Sequence, residues 1–436
     1  MTHRSRRSLV IVTIACMHAV LVACGGGGGG DGSSEPAAQP VTITVSGPNA
    51  VSVWDEVATN TINMPASATG TPEEQRPNTA VDLATVHVAI YDAVMAIAVT
   101  HRPYAITPTA ATAGASQEAA VAAAAYRVLR GLFPSRAAQY QSAYDTFLAT
   151  LPDGTAKTQG LAVGAEVAAG ILALRANDGR SVDLAPYVPG SAPGQFRGTN
   201  PIGRPNAFIK PFALTTIAQF RAPGPPALSS TAYAADLNET KSFGSATSSV
   251  RTAEQTEIAR FHAESSNTHW PRNLRTFAMT NHSVAEHARL TAMIWVAHAD
   301  TQNACFESKY FYQFWRPSSA VTLADTDGND ATTVDASWVP LLTTPNHPEY
   351  PAAHSCIAGA LAETLRIYFG TPNVTFDFTS TFTGTTRHFT TTQGLVDEIQ
   401  IARIAGGIHF RTSTVDGAAL GKNVANWALT HNFQPK

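Results

Sequence analysis

Three short segments of the C-terminal half carry basic and imidazole side chains whose types suit a compact, multiply charged anion. In the first, Lys309-Tyr-Phe-Tyr-Gln-Phe-Trp-Arg316-Pro317, seven residues separate the two cations. That is two helical turns, so Lys309 and Arg316 are expected on one helix face, with Pro317 ending the helix. In the second, His347-Pro348-Glu349-Tyr350-Pro351-Ala352-Ala353-His354-Ser355, Pro351 is preorganised for a helix start. The free N–H groups of that first turn would point at an anion, and His354 would exchange a proton with a bound oxygen. In the third, Arg403-Ile-Ala-Gly406-Gly407-Ile-His409, a straight helix would send Arg403 and His409 to different sides. Gly406-Gly407 permits a break that turns both toward one point.

In this order and wording the segments resemble the superfamily of vanadium haloperoxidases and type-2 phosphatidic acid phosphatases, whose pattern is K-x6-R-P, P-S-G-H, S-R-x5-H. The chain supplies Lys309 to Arg316-Pro317, Pro351-Ala352-Ala353-His354, and Ala402-Arg403 to His409. Phe314-Trp315-Arg316-Pro317, Tyr350-Pro351 and the stretch Val86-His-Val-Ala-Ile-Tyr-Asp-Ala-Val94 resemble the haloperoxidase branch. The resemblance implies an oxyanion centre in which His409 bonds vanadium or phosphorus, and Lys309, Arg316 and Arg403 neutralise the surrounding oxygens. It makes His354 the acid–base partner of the apical oxygen and Lys309 the group that polarises peroxide. His347 falls where the family places a site-lining aromatic or a second histidine, and Asp300 is placed to orient one of the arginines. Ala352 and Ala353 stand where the family has serine and glycine; the lost hydroxyl removes one hydrogen bond to the anion, about 0.5–1.5 kcal/mol net, and leaves the backbone N–H of Ala353 as a donor. The implied cofactor is vanadate, with phosphate able to occupy the same site. The implied activity is oxidation of halide by hydrogen peroxide. The alternatives are phosphomonoester hydrolysis through a phosphohistidine, and a non-catalytic oxyanion-binding lipoprotein.

The elements that must position these groups are helical. Alanine is abundant and aromatic residues make up only 8% of the 436 residues, which favours helix over sheet. Helical periodicity is read at residues 51–63, 80–97, 116–133, 137–151, 158–177, 252–264, 284–313, 353–369, 394–405 and 417–430. A short strand is read at 41–45 and a hairpin or loop at 371–392. Within the helix at 80–97, His87 and Asp92 read as satisfied core polar groups. Residues 183–230, rich in Pro and Gly, read as a long ordered loop joining two helical halves, 41–240 and 241–436. The expected fold class is all-α, a large helical bundle with long irregular connections.

Charge gives no long-range lure: the formal net charge is −3, so nucleic acid is not an expected partner and any anion site must be a local basic cluster. The remaining partners are small molecules (hydrogen peroxide, halide or a phosphate ester), with the oligomeric state open. The first 24 residues read as a lipoprotein signal, with His3, Arg4, Arg6 and Arg7 before an apolar run that ends Leu21-Val22-Ala23-Cys24. Cys24 is thus expected to be lipidated, and 25–40 to form a Gly/Ser-rich tether from a bacterial cell-envelope membrane, facing the periplasm or anchored at the outer membrane. Cys305 and Cys356 flank the motifs, and a bridge and two separate thiols are both open. No Cys/His spacing of the zinc type occurs.

Overall fold

Small side chains at helical spacing, closed by polar caps, set the architecture. In the computed structural model, which describes residues 39–436 apart from Met64, fourteen α-helices and one three-stranded sheet are present. The expected leader, Cys24 lipobox and tether as far as residue 38 lie outside the described residues. The N-terminal part contributes β1 (Val41–Thr42), α1 (Ala50–Ile62), α2 (Pro72–Gln75), α3 (Thr79–Ala98), α4 (Gln117–Leu132), α5 (Ala137–Leu148) and α6 (Thr155–Arg175). After a long connection come α7 (Thr231–Gly244), α8 (Ala253–Phe261), α9 (Ser266–Arg275), α10 (Val284–Tyr312) and α11 (Pro317–Thr322). The chain closes with α12 (Ala353–Phe369), β2 (Val374–Thr379), β3 (Thr386–Phe389), α13 (Thr392–Ala405) and α14 (Arg411–His431).

Caps fix several starts. Asn49 accepts from Val51 and Ser52 N–H at α1, and Ser283 with Glu286 forms a reciprocal capping box at α10. At the other end of α12, Gly370 takes φ +70°, the left-handed cap read from the sequence. The region 371–392 is a hairpin: β2 pairs antiparallel with β3, Phe376 opposite Phe389, and parallel with β1, Val41 opposite Val374.

The spine is α10, which packs against α3, α12 and α14. Helix α3 has a mean hydropathy of 1.6, yet the fold buries it almost completely, as a core helix requires. Helices α12 and α14 meet backbone to backbone. A Cβ on Gly421 would lie 1.8 Å from the Cys356 carbonyl oxygen, so nothing larger than glycine fits there.

The sequence reading missed α7 and α9, and the reason is physical. The residues that helix α7 buries are half apolar (Tyr233, Ala234, Leu237) and half not (Asp236, Thr240, Gly244), and α9 carries Pro271 inside it. Helix α7 has a weak apolar period and α9 is a short, polar segment interrupted by proline, so tertiary contacts select both. Helix α14 begins at Arg411, ahead of the expected Gly417.

Buried carboxylates tie the elements together. Asp55 on α1 accepts from His87 Nε2 at 2.9 Å, Arg275 Nε at 2.7 Å and Trp295 Nε1 at 3.3 Å, joining α1, α3, α9 and α10. Asp92 accepts the backbone N–H groups of Tyr104, Ala105 and Ile106. Asp92 is therefore a satisfied core group, as expected; His87 is a core group too, paired at Nε2, while its buried Nδ1 has no partner. Asp55→Ala leaves an imidazole nitrogen and an indole N–H unpaired in the core and the half-buried Arg275 with only Glu56 at 3.4 Å, and should cost roughly 3–5 kcal/mol of stability in denaturant unfolding; a loss under 1 kcal/mol would contradict this account.

Candidate active site

Arg316 reaches the site from a loop rather than from a helix face. Gln313 ends α10 in the left-handed conformation (φ +49°), and Arg316 is the extended N-cap of α11, with Pro317 at its first helical position. The expectation of Lys309 and Arg316 on one helix face with Pro317 as terminator is thus corrected: Pro317 starts a helix, since its fixed φ suits a first turn. The segment between the two cations is held by the long connection, through Phe196 N–H to the Gln313 carbonyl (2.7 Å) and Trp315 N–H to the Gly194 carbonyl (2.9 Å).

Lys309 is fully buried and donates to the carbonyl oxygens of Pro348 (3.0 Å), Glu349 (2.9 Å) and Pro351. An ammonium has three protons, and these acceptors use them all. In this arrangement Lys309 clamps the loop ahead of α12 and supplies its charge through space. The Tyr350–Pro351 peptide is cis, Ala352 is the N-cap of α12, and His354 stands in the first turn as expected.

His409 follows the predicted break. Helix α13 stops at Ala405, and Gly407 adopts φ +73° with Gly244 O only 2.3 Å from where a Cβ would stand. Two glycines, Gly244 and Gly407, therefore let α7 touch the turn that aims His409. Arg316 Nη1 donates to His409 Nε2 at 3.2 Å, and a guanidinium can only donate, so Nε2 carries a lone pair. The ring proton is on Nδ1, which donates to the Glu349 carboxylate at 2.8 Å. Glu349, which also accepts the Phe410 N–H, is the site residue that sequence reasoning missed. Its position two residues after His347 was visible; its pairing with a residue 60 positions away was not.

The remaining groups close the shell. Arg316 also donates to the carbonyls of His347 and Ile408 and to His347 Nδ1, so His347 buttresses the guanidinium. Arg403 donates Nη2 to the His262 carbonyl (3.1 Å), while its buried Nε has no partner. His354 is half-buried, with Nε2 3.5 Å from Ser266 Oγ. Asp300 does not orient a site arginine. Its carboxylate accepts the N–H groups of Phe212, Ala213 and Leu214 and pins the long connection, because three converging backbone donors satisfy a buried carboxylate. Cys305 and Cys356 are buried free thiols whose sulfurs lie 2.9 Å apart.

Three buried cations thus face one carboxylate. Burial lowers Lys309 to about 8, and burial with the neighbouring Arg316 lowers Arg403 to about 10. Burial raises Glu349 to about 7. Burial, then Arg316, Lys309 and Arg403, holds His409 well below the usual histidine range, and burial followed by Arg403 does the same for His354. Both imidazoles are neutral near pH 7. No side chain caps α12, so its first N–H groups stay open to an anion, and the N–H of Ala352 itself goes to the Ser413 carbonyl (3.0 Å). An unpartnered guanidinium nitrogen, an uncapped helix start and an imidazole lone pair beside surplus positive charge fit a tetrahedral oxyanion.

Sulfate stays dianionic across the neutral range, so its affinity reports the charge of the site. Glu349 becomes negative as pH rises through about 7 and Lys309 neutral through about 8, and both changes oppose the anion. Calorimetric sulfate binding should weaken steadily across that interval, with the lower step missing in Glu349→Gln. Because the folded Lys309 value lies below the ordinary 10.5, stability without sulfate should rise between about pH 8 and 10.5. Sulfate affinity that is flat in pH would refute this charge assignment.

Residues 289–435 match the family model of the VCPO second helical-bundle domain. No curated protein matches the sequence. Among solved structures, one described as the first bacterial vanadium-dependent iodoperoxidase superposes with a TM-score of 0.70 at 23% identity, covering 89% of this chain and 96% of its own. A holo-type bacterial vanadium-dependent chloroperoxidase gives 0.63 at 17% identity over 88% of this chain and 97% of its own. An apo-type one gives 0.62 at 16% identity over 84% and 95%. Residues 289–435 thus match the VCPO second helical-bundle domain, and the chain shares the helical fold of the bacterial vanadium haloperoxidases along most of its length.

Proposed function

We propose that the protein is a vanadate-dependent haloperoxidase that oxidises halide with hydrogen peroxide. The observation that carries this reading is the unprotonated Nε2 of His409, oriented by Glu349 and set against Arg316. Vanadate would be held by His409 Nε2, by Arg316 and Arg403 donors, and by the N–H groups at the start of α12. When bound, it supplies Lewis acidity that activates hydrogen peroxide toward halide without changing oxidation state.

The chain's own groups do the rest. Glu349 fixes the His409 tautomer, as a second partner does for metal-binding imidazoles. Arg316 and Arg403 supply directional charge, and Lys309 adds field while holding the 348–351 loop. His354, neutral and half-buried at the cavity wall, is the group that would hold or pass a proton beside the bound anion. The same dyad of Glu349 and His409 also suits a phosphohistidine, so phosphomonoester hydrolysis is the second reading. We further propose a lipid-anchored, cell-envelope location, on the basis of the sequence Leu21-Val22-Ala23-Cys24.

With added vanadate, peroxide and iodide, the protein should form triiodide, and His409→Ala should lose activity at least a hundredfold. p-Nitrophenyl phosphate hydrolysis inhibited by vanadate, without triiodide, would replace this reading by the phosphatase. Ala352→Ser restores a hydroxyl at the α12 N-cap and should tighten vanadate binding about three- to tenfold by equilibrium dialysis. Unchanged affinity would show that residue 352 does not address the anion.

A further inference from the structure

A cavity of about 340 Å³ shares His347, Ala353 and His354 with the oxyanion centre as lining residues. It has room for roughly ten waters and falls at the small end of the range of about 300–1,000 Å³ seen for small-molecule sites. Halide and peroxide need far less. Its chemistry is selective, because no Asp, Glu, Lys or Arg is among its lining residues. Trp270 and Phe306 offer ring surface, and Asn206, Ser266 and Gln302 offer uncharged polar groups. The charged groups nearby are those of the oxyanion centre behind His347 and His354; the cavity walls themselves offer rings and uncharged hydrogen-bonding groups, which suit a neutral planar ligand.

His298 is the second observation. It lies on α10 one turn before Gln302 and two before Phe306, on the face that runs on to Lys309. It is only 7% exposed and borders the cavity. Its ring packs near Trp270 (6.1 Å between centroids) and Trp295 (5.3 Å), and neither ring nitrogen has a hydrogen-bond partner among the described residues. Burial alone lowers it to about 3, so it presents a neutral imidazole with one donor and one acceptor. With no protein partner and a place on the cavity lining, this imidazole is open to a ligand that can donate to it or accept from it.

We propose that this cavity binds a neutral aromatic alcohol of the phenol class, its ring against Trp270 and Phe306 and its hydroxyl on His298. The binding stands independently; its use rests on the haloperoxidase reading. In that use, an aromatic C–H is exchanged for carbon–halogen by hypohalous acid, the oxygen leaving as water.

The test is calorimetric and ligand-detected NMR binding of p-cresol to the full chain with its oxyanion centre saturated by sulfate, compared with toluene, which lacks the hydroxyl, and p-toluate, which is charged. p-Cresol should bind, toluene more weakly and p-toluate least. His298→Ala should weaken p-cresol about three- to tenfold, and Ile357→Phe, which fills the cavity from α12, should abolish it. Retained sulfate binding confirms that each variant folds, and the ligand ranking on the unaltered chain needs no variant. Absent p-cresol binding, preference for p-toluate, or equal binding to all three proteins would overturn the proposal. Triiodide formation without any organic acceptor reads the centre separately. If triiodide forms but p-cresol does not bind, the cavity proposal fails alone. If p-cresol binds as described and no triiodide forms, the haloperoxidase reading fails alone.

Discussion

Burying positive charge without matching negative charge is the constraint to which the rest of this molecule answers. Lys309, Arg316 and Arg403 are removed from water around a single carboxylate, Glu349. The fall of Lys309 from 10.5 to about 8 alone corresponds to roughly 3 kcal/mol against its charged form. Such a cluster survives because backbone carbonyls absorb part of the cost. Lys309 takes three from the 348–351 segment, Arg316 takes those of His347 and Ile408, and Arg403 takes that of His262. Carbonyls solvate a cation without cancelling its charge, so the field at His409 persists.

Those carbonyls must be held still, which explains the irregular segments around the bundle. The long connection between α6 and α7 is ordered because the buried Asp300 carboxylate grips its backbone at 212–214, and because residues 194–196 bond to 313–315. Asp92 does the same for residues 104–106. A buried carboxylate with converging N–H donors turns a loop into a rigid wall. The bundle provides the anchors, and the loops carry the functional groups.

At the start of α12 the same economy appears in reverse. Residue 352 is the N-cap, where a hydroxyl would both cap the helix and meet the anion; alanine does neither. Positive charge, the helix start and the His409 lone pair remain. Specificity is therefore carried more by charge and imidazole geometry here than by hydroxyl donation.

Most of the helices were legible in the sequence, since α1, α4 and α12 bury apolar residues at helical spacing, and α3 and α10 are long runs buried on most sides between recognisable ends. So were the identities of the basic residues and the break at Gly406-Gly407, because a local backbone rule dictates it. Other features depended on contacts far apart in the chain. Glu349 pairs with His409 across 60 residues, and Asp300 serves a loop 86 to 88 residues away rather than a site arginine. Arg316 lies beyond the helix end, where residues 194–196 fix the backbone, so helical spacing misplaced it. The sequence by itself determined which side chains could meet an anion; only the tertiary structure decided which atoms face it, because buried donors and acceptors choose partners by proximity in space rather than by spacing along the chain.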